Sequence, residues 1–263
     1  MRTSRLEQPG WVTFDAEHGS PEELFQGPEE LDLIVNCAAA LASEIDPADA
    51  ASVERAEALN ARFPHALAAA AEQGSTRLVH VSTDAVFSED AGICFEGDEP
   101  FADDVYGRTK LLGEPTGASV LSIRGSFIGR DPARRRGLLE WLLEQPAGAH
   151  IKGYIDQAWN GLASSQFASV CAALADPAVF ERARAEGRVH HLYEDPPLSK
   201  YELLLLCARV FDAPVSVAPV ESGAVSTRLL GSRHRVLLEQ LESFPARARA
   251  LTALAERGTE EHG

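Results

Sequence analysis

The sequence predicts an α/β fold with a doubly wound parallel sheet, and three consecutive segments carry that prediction. Leu31–Cys37 is a compact apolar run of the kind that forms a buried parallel strand. The Ala-rich segment Pro47–Gln73 repeats apolar residues at helical spacing, and Arg77–Val81 is a second apolar run. A strand, a long helix and a strand with short connections form the unit from which parallel sheets are built.

The stretch 78–110 carries the candidate chemistry. Its apolar run ends in the polar residues Ser82–Asp84. Further on, Tyr106 and Lys110 are four residues apart, which places both side chains on one face of a helix. Hydroxyl groups at a strand end that face a tyrosine and a lysine are suited to transferring a proton to a carbonyl oxygen.

Polar residues follow three of the predicted strands. Asn36 lies at the end of the first strand, and Ser82–Asp84 follow the second. A third strand is predicted over Ser119–Arg124, and Arg124–Ser126 lie at its end. Ligands of such sheets bind beyond the carboxyl ends of the strands, so we expect these residues to line a site.

The regular alternation of strands and helices breaks after Gly129. The later patterns predict helices over Gly137–Leu143, Ser164–Leu174 and Ser199–Leu206, and strands over Arg188–Tyr193 and Val215–Val220. Ser199 and Glu202 have the spacing of a capping box. We expect residues 1–130 to form the sheet domain and residues 131–263 a smaller C-terminal part.

Composition limits the classes of partner. The chain has 263 residues and a formal net charge of −16, which argues against nucleic acid because phosphate binding needs a basic surface. No apolar run approaches the ~20 residues of a membrane span, so we expect a cytoplasmic protein without a membrane partner.

Cysteine usage agrees with a reducing compartment. Cys37, Cys171 and Cys207 lie in apolar runs, which predicts buried thiols in the cytoplasm. Neither the four cysteines nor the eight histidines show the spacing of metal ligands, so we expect no metal site.

Three segments together resemble the dTDP-4-dehydrorhamnose reductase branch of the extended short-chain dehydrogenases/reductases, namely His80–Phe87, Tyr106–Glu114 and Ile123–Ser126. A Tyr-x-x-x-Lys pair alone arises often by chance. The match is specific because Thr83, in a Ser-Thr-Asp strand end, precedes Tyr106 by 23 residues. The resemblance covers the chain from about residue 32 to 217.

The resemblance implies a Rossmann-like sheet that binds NAD or NADP within residues 1–130, and a mainly substrate-binding part in residues 131–263. It also implies reduction of a 4-keto group on a nucleotide-activated deoxysugar. In that family a tyrosine protonates the carbonyl oxygen, a lysine holds the cofactor ribose and lowers the tyrosine pKa, and a Ser/Thr hydroxyl orients the carbonyl. These roles would fall to Tyr106, Lys110 and Thr83.

The other implied site residues are assigned by the same resemblance. The implied cofactor-binding residues are Asn36, Ala38, Ser82, Tyr106 and Lys110, and the implied substrate-binding residues are Asp84, Arg124 and Ser126. Asn60 matches a helix asparagine that the family uses near the active-site backbone. A helix asparagine satisfied by its own neighbours is an equally good interpretation.

One departure from the family concerns the start of the chain. The family opens with a strand, a GxxGxxG turn and a helix whose N-terminus binds the cofactor pyrophosphate. Before Asp32 this chain has Gly10, Gly19 and Gly27, none of them between a strand and a helix start. We therefore expect an N-terminally truncated sheet, whose apolar edge a protein partner, a second copy or its own N-terminus would cover.

Two explanations of this departure stay open. In the first, the start is not the natural one and the native enzyme carries the loop. In the second, the chain is a truncated homologue that binds NAD(P) weakly or not at all. The second explanation favours a different class of function, a non-catalytic or regulatory subunit that binds a nucleotide sugar or cofactor. An epimerase or dehydratase of the same superfamily fits less well, because Ser-Thr-Asp matches the reductase branch.

Overall fold

The computed structural model of the protein describes residues 3–4, 12–26, 30–131 and 134–260. Gly10 and Gly27 lie outside these residues. The strands are β1 (Thr3–Ser4), β2 (Val12–Thr13), β3 (Leu33–Asn36), β4 (Arg77–Val81), β5 (Ile93–Cys94), β6 (Val120–Arg124), β7 (Phe127–Ile128), β8 (His150–Tyr154), β9 (Ala158–Trp159), β10 (Leu162–Ala163), β11 (Val189–His191), β12 (Leu198–Ser199), β13 (Ser216–Val220) and β14 (Leu229–Leu230). The α-helices are α1 (Ala50–Glu57), α2 (Phe63–Gln73), α3 (Val105–Leu112), α4 (Leu138–Leu143), α5 (Ser164–Ala173), α6 (Pro177–Glu186), α7 (Lys200–Val210), α8 (Val236–Glu242) and α9 (Arg247–Glu260).

The chain divides into two compact units, each built from two separate stretches of the sequence. The first unit comprises residues 1–86 and 100–123, and the second comprises residues 87–99 and 124–263. Residues 87–99, which we expected in the first domain, belong to the second unit because β5 pairs in parallel with β14. The second unit is the longer one, whereas we expected a smaller C-terminal part. The assignment of cofactor and substrate roles to residues 1–130 and 131–263 stays a prediction.

The first unit contributes three parallel strands to a sheet, with β4 between β3 and β6. Leu78 of β4 and Val120 of β6 are buried in one apolar cluster with Phe63 and Leu67 of α2. These contacts explain why the apolar runs form strands and the Ala-rich segment packs as a helix on one sheet face. The predicted α/β fold with a parallel sheet is confirmed.

The long helix predicted over residues 47–73 is interrupted in its hydrogen-bond pattern. It begins with Asp49, whose side chain accepts a hydrogen bond from Ala51 N, and ends at Gly74. Between α1 and α2, residues Ala58–Arg62 form a π-helical turn. Such turns occur often at functional sites, and this one holds Asn60.

The second unit has its own core. Leu139 and Leu142 of α4, Leu203 of α7 and Leu251 of α9 are buried in a common apolar cluster. The predicted capping box is present, since Ser199 Oγ accepts from Glu202 N at 3.2 Å. The strand predicted over 215–220 also forms, as β13, and pairs in parallel with β8 although it contains a proline.

One prediction about the cysteines is wrong. Cys37 is exposed, because β3 ends at Asn36 and the thiol lies one residue beyond the sheet. Cys207 is buried and Cys171 is half-buried. Across the residues that the structure describes, no helix combines the length and the apolar composition needed to cross a bilayer.

Candidate active site

The end of β4 turns sharply at the predicted catalytic threonine. Thr83 Oγ1 donates a hydrogen bond to Asp84 Oδ1 at 3.1 Å and accepts one from Ala85 N at 3.2 Å. These bonds fix the hydroxyl at the start of a single 3-10 turn over Asp84–Val86. Thr83 is buried, but its hydroxyl is held by side-chain and turn contacts that a substrate carbonyl could replace.

Helix α3 starts against this turn. Asp104 caps the helix by accepting a hydrogen bond from Gly107 N at 2.7 Å. A Cβ atom on Gly107 would lie 2.0 Å from the carbonyl oxygen of Ala85, so only glycine allows so close an approach. The approach brings the first turn of α3, which carries the half-buried Tyr106, next to the turn that follows Thr83.

Lys110 lies deep in the first unit, one helical turn after Tyr106. Its Nζ donates to the carbonyl oxygen of Val81 at 2.5 Å, and the residue is only 2% exposed. Burial lowers the pKa of Lys110 to about 8, while the charges of Glu114 and Cys37 act in the opposite direction. An ammonium one helical turn from a tyrosine is suited to stabilising a phenolate.

Glu114 joins this group, and the sequence alone did not single it out. Ser82 Oγ donates to Glu114 Oε1 at 2.7 Å, across 32 residues of chain. The carboxylate therefore contacts one predicted cofactor residue and raises the pKa of another, Lys110. Its position four residues after Lys110 is the signal that could have found it.

Asn60 connects the loop after β3 to α3. Its amide accepts from Ala40 N at 2.8 Å and donates to Ala40 O at 3.0 Å and to Thr109 Oγ1 at 3.1 Å. Thr109 Oγ1 in turn donates to the carbonyl oxygen of Tyr106 at 3.0 Å. Asn60 is thus fully satisfied and also holds the backbone of the Tyr/Lys helix, which combines the two interpretations that the sequence left open.

Asn36 and Ala38 form a small turn at the end of β3. Asn36 Oδ1 accepts from Ala38 N at 3.1 Å, and Asn36 Nδ2 lies 3.1 Å from His80 Nδ1. His80 is fully buried, and burial, followed by the charges of Lys110 and His65, holds the pKa of its ring well below the ordinary value. The ring is therefore neutral at physiological pH.

Seven of the nine predicted site residues lie in the first unit, and two lie in the second. Asn36, Ala38, Ser82, Thr83, Asp84, Tyr106 and Lys110 belong to the first unit. Arg124 and Ser126 belong to the second, so their substrate role stays a prediction.

Arg124 and Ser126 already have contacts within the second unit. Arg124 is buried with its guanidinium 5.2 Å from the centre of the Phe87 ring. Ser126 Oγ accepts from Trp159 Nε1 at 2.8 Å. Both side chains are therefore held in fixed positions.

Among the residues that the structure describes, one group of potential metal ligands lies toward the N-terminus. Ligand atoms of Asp15, Glu17 and His18 lie within 4.8 Å of one another. Glu17 is paired with Arg55 at 2.9 Å, and Asp15 is bonded to His18. These internal pairs account for the group, and the expectation of no metal site stays a prediction.

Comparison with known proteins gives one family. The model of the RmlD substrate binding domain matches residues 20–241. A probable low-salt glycan biosynthesis reductase of Haloferax volcanii is 32% identical over 159 residues, which cover 57% of this chain and 52% of that protein. The dTDP-4-dehydrorhamnose reductase of Mycolicibacterium smegmatis is 42% identical over 85 residues, which cover 32% of this chain and 25% of the relative. The chain thus spans about half or less of these relatives.

Solved structures share the fold. A dTDP-4-dehydrorhamnose reductase of Clostridium acetobutylicum superposes with a TM-score of 0.71 at 20% identity, covering 91% of this chain and 85% of the other. MoeE5, solved with UDP-glucose and NAD, gives a TM-score of 0.71 at 17% identity over 99% and 90% of the two chains. At these identities the likeness concerns the fold alone.

Proposed function

Because the chain belongs to the RmlD substrate binding domain family, we propose that it is an NAD(P)H-dependent reductase of a 4-keto group on a nucleotide-activated deoxysugar. The observation that carries the proposal is the fixed position of α3 against the end of β4. Lys110 is hydrogen-bonded to Val81, and Gly107 lets α3 approach the turn after Thr83. Two relatives named as reductases support the same chemistry.

In the proposed mechanism, Tyr106 gives its phenolic proton to the carbonyl oxygen of the sugar. Thr83 turns its hydroxyl from Asp84 to that oxygen and orients it. The Lys110 ammonium stabilises the phenolate that remains on Tyr106, because an opposite charge nearby favours the ionised form of a phenol. A nicotinamide cofactor, when bound, supplies the hydride that reaches the carbonyl carbon.

The donor chemistry of Lys110 fits a nicotinamide ribose. An ammonium has three N–H donors, and one of them goes to Val81 O. The other two are suited to ribose hydroxyl groups. We assign Asn36, Ala38 and Ser82 to the same cofactor edge. A dTDP-4-dehydrorhamnose reductase of Bacillus anthracis was solved with NADP, which is the cofactor class proposed here.

The substrate side of the proposal uses Asp84, Arg124 and Ser126. Arg124 suits a phosphate or a sugar hydroxyl through its several fixed donors. MoeE5, which shares the fold, was solved with UDP-glucose. The substrate we propose is accordingly a nucleotide sugar, and the cytoplasmic location stays a prediction from the sequence.

Turnover tests the proposal directly. The purified chain is mixed with NADPH or NADH and a dTDP-4-keto-6-deoxysugar, and the absorbance at 340 nm is followed. We expect a fall in absorbance that Tyr106→Phe abolishes without lowering the thermal midpoint. No loss of absorbance together with no cofactor binding by calorimetry would overturn the proposal.

A second candidate function is a non-catalytic subunit that binds a nucleotide sugar or a cofactor. It is favoured by the residues before β3: among those the structure describes, no glycine-rich turn joins a strand to an α-helix. Gly19 instead precedes a short 3-10 helix over Pro21–Phe25. Calorimetry combined with the absorbance at 340 nm distinguishes the two candidates. A non-catalytic subunit should bind the nucleotide sugar tightly in the calorimeter but should cause no oxidation of NADPH.

A further inference from the structure

Three polar side chains form a row across three neighbouring strands of the sheet. Asn36, His80 and Ser122 occupy paired positions on β3, β4 and β6. Their exposures are 4%, 0% and 1%. Leu78 and Val120, two residues earlier on their strands, pack in the apolar cluster under α2, so alternation places His80 and Ser122 on the same apolar face.

The turn after β3 determines how this row is hydrogen-bonded. Ala38 N donates to Asn36 Oδ1, which directs the amide nitrogen of Asn36 toward His80 Nδ1. An amide nitrogen is a donor only, so His80 Nδ1 must accept. The ring proton therefore lies on Nε2 and the ring is neutral.

No other contact explains why a histidine stands at this position. His80 Nε2 and Ser122 Oγ have no hydrogen-bond partner among the residues that the structure describes. A buried polar atom without a partner is unfavourable, and an apolar side chain at position 80 would avoid it. The contact with Asn36 is the one hydrogen bond that the described residues give to this ring.

The geometry points to a positioning role: we propose that His80, as the neutral Nε2–H tautomer, holds the Asn36–Ala38 turn in the shape that receives the cofactor. This inference rests on the proposed function for the identity of the ligand at that turn. If the ring were protonated, its Nδ1–H would face the amide N–H of Asn36. Two donors would then oppose each other, and Asn36 could restore a bond to His80 only by releasing Ala38 N.

The groups around the ring keep it in the required state. Lys110 and His65 are the titratable groups whose charges act on His80, and both disfavour a second positive charge. Burial acts in the same direction. The turn is accordingly expected to keep its shape across the physiological pH range.

The first test uses the wild-type protein and does not depend on activity. Nitrogen-15 spectra of the imidazole ring should show the Nε2–H tautomer of His80 and no titration between about pH 5.5 and 8. An Nδ1–H tautomer, or a titration near the ordinary histidine pKa, would overturn the proposal even if the chain reduces its substrate.

The second test compares variants at one position. His80→Asn keeps an acceptor oxygen close to the place of Nδ1, whereas His80→Leu removes the acceptor. We expect hydrogen exchange of the Ala38 amide to quicken roughly tenfold in His80→Leu and to be largely restored in His80→Asn. Val79→Ala, a buried change on the opposite face of β4, serves as the matched control and should leave Ala38 exchange unchanged relative to neighbouring amides.

The third test links the turn to the ligand. NADPH dissociation constants are measured for His80→Leu, Asn36→Ala and the double variant. We expect each single change to weaken binding by roughly tenfold, the double variant to be no weaker than either, and kcat at saturating cofactor to change less than KM. Additive losses would overturn the proposal. If the wild type does not bind NADPH, the proposed function fails, whereas the ring tautomer and Ala38 exchange still decide the role of His80.

Discussion

The Nζ atom of Lys110 donates a 2.5 Å hydrogen bond to the carbonyl oxygen of Val81, and so fixes α3 to the last residue of β4. The contact joins positions that are 29 residues apart in the chain. It links the helix that carries Tyr106 to the strand that leads into Thr83. It also keeps a positive charge in a buried place, which has consequences that can be measured.

We expect turnover and the free energy of unfolding to change in opposite directions above pH 8. Burial lowers the Lys110 pKa to about 8, so the charge that the proposed mechanism needs is lost above that pH. An unfolded lysine keeps its proton up to a pKa of about 10.4. Between these values the unfolded state binds more protons, and this group makes the unfolding free energy rise by ~1.4 kcal/mol per pH unit.

The measurement pairs a kcat/KM profile with urea unfolding from pH 7 to 10, using Lys110→Met as the reference for both. The unfolding free energy of the wild type minus that of Lys110→Met should rise with pH over that window. A constant difference would contradict a lowered lysine pKa.

Replacing Glu114 should change the pH at which kcat/KM falls as Lys110 loses its proton. The carboxylate raises the pKa of Lys110, so Glu114→Gln should shift the alkaline fall in kcat/KM to lower pH. Ser82→Ala is the matched variant, because it removes the 2.7 Å hydrogen bond to Glu114 but keeps the carboxylate charge. An equal shift in both variants would show that the hydrogen bond, and not the charge, sets the limit.

Gly107→Ala should destabilise the first unit and abolish turnover. The added Cβ would lie 2.0 Å from the backbone oxygen of Ala85, and neither backbone can yield without separating α3 from the turn. Overpacking of this kind costs about 3 kcal/mol. Denaturant unfolding and turnover are compared with Gly97→Ala, where a Cβ meets nothing within 4 Å and the change should stay within about 0.5 kcal/mol.

Asn60→Leu should lower both stability and turnover. The change leaves the buried N–H and C=O of Ala40 without their partner, at a cost of about 3 kcal/mol, and removes a contact to Thr109. Asn160 is a suitable control because its amide bridges the backbone of Leu230 in the same way within the second unit. Asn160→Ala should cost similar stability but leave kcat within about twofold in the protein that remains folded.

The local features of the fold could be predicted because each depends on neighbouring residues. The strand predicted over Arg77–Val81 has the observed bounds, since the apolar residues Leu78, Val79 and Val81 favour a buried strand although His80 interrupts them. The expected helix with Tyr106 and Lys110 on one face forms as α3, and on a helix that shared face depends only on the spacing of four residues. Ser199 with Glu202 was recognisable because a capping box is complete within one turn.

Features that depend on distant residues could not be predicted. The membership of residues 87–99 in the second unit depends on the pairing of β5 with β14, far along the chain. The roles of His80 and Glu114 depend on hydrogen bonds across 44 and 32 residues. The π-helical turn at Ala58–Arg62 was hidden because its residues are as helix-favouring as those around it.

Because of that π-helical turn, two parts of one continuous helical segment pack in two different apolar clusters. A π turn holds one more residue than an α turn, and each residue of an α-helix advances the side chain by about 100°. Ala56 and Leu59 pack with Ala40, whereas Phe63 and Leu67 pack under the sheet strands. Deleting one residue within positions 58–62 would turn the whole segment into a regular α-helix and rotate α2 relative to α1 by about 100°. If one of the two helices then kept its packing, the apolar side chains of the other would face water.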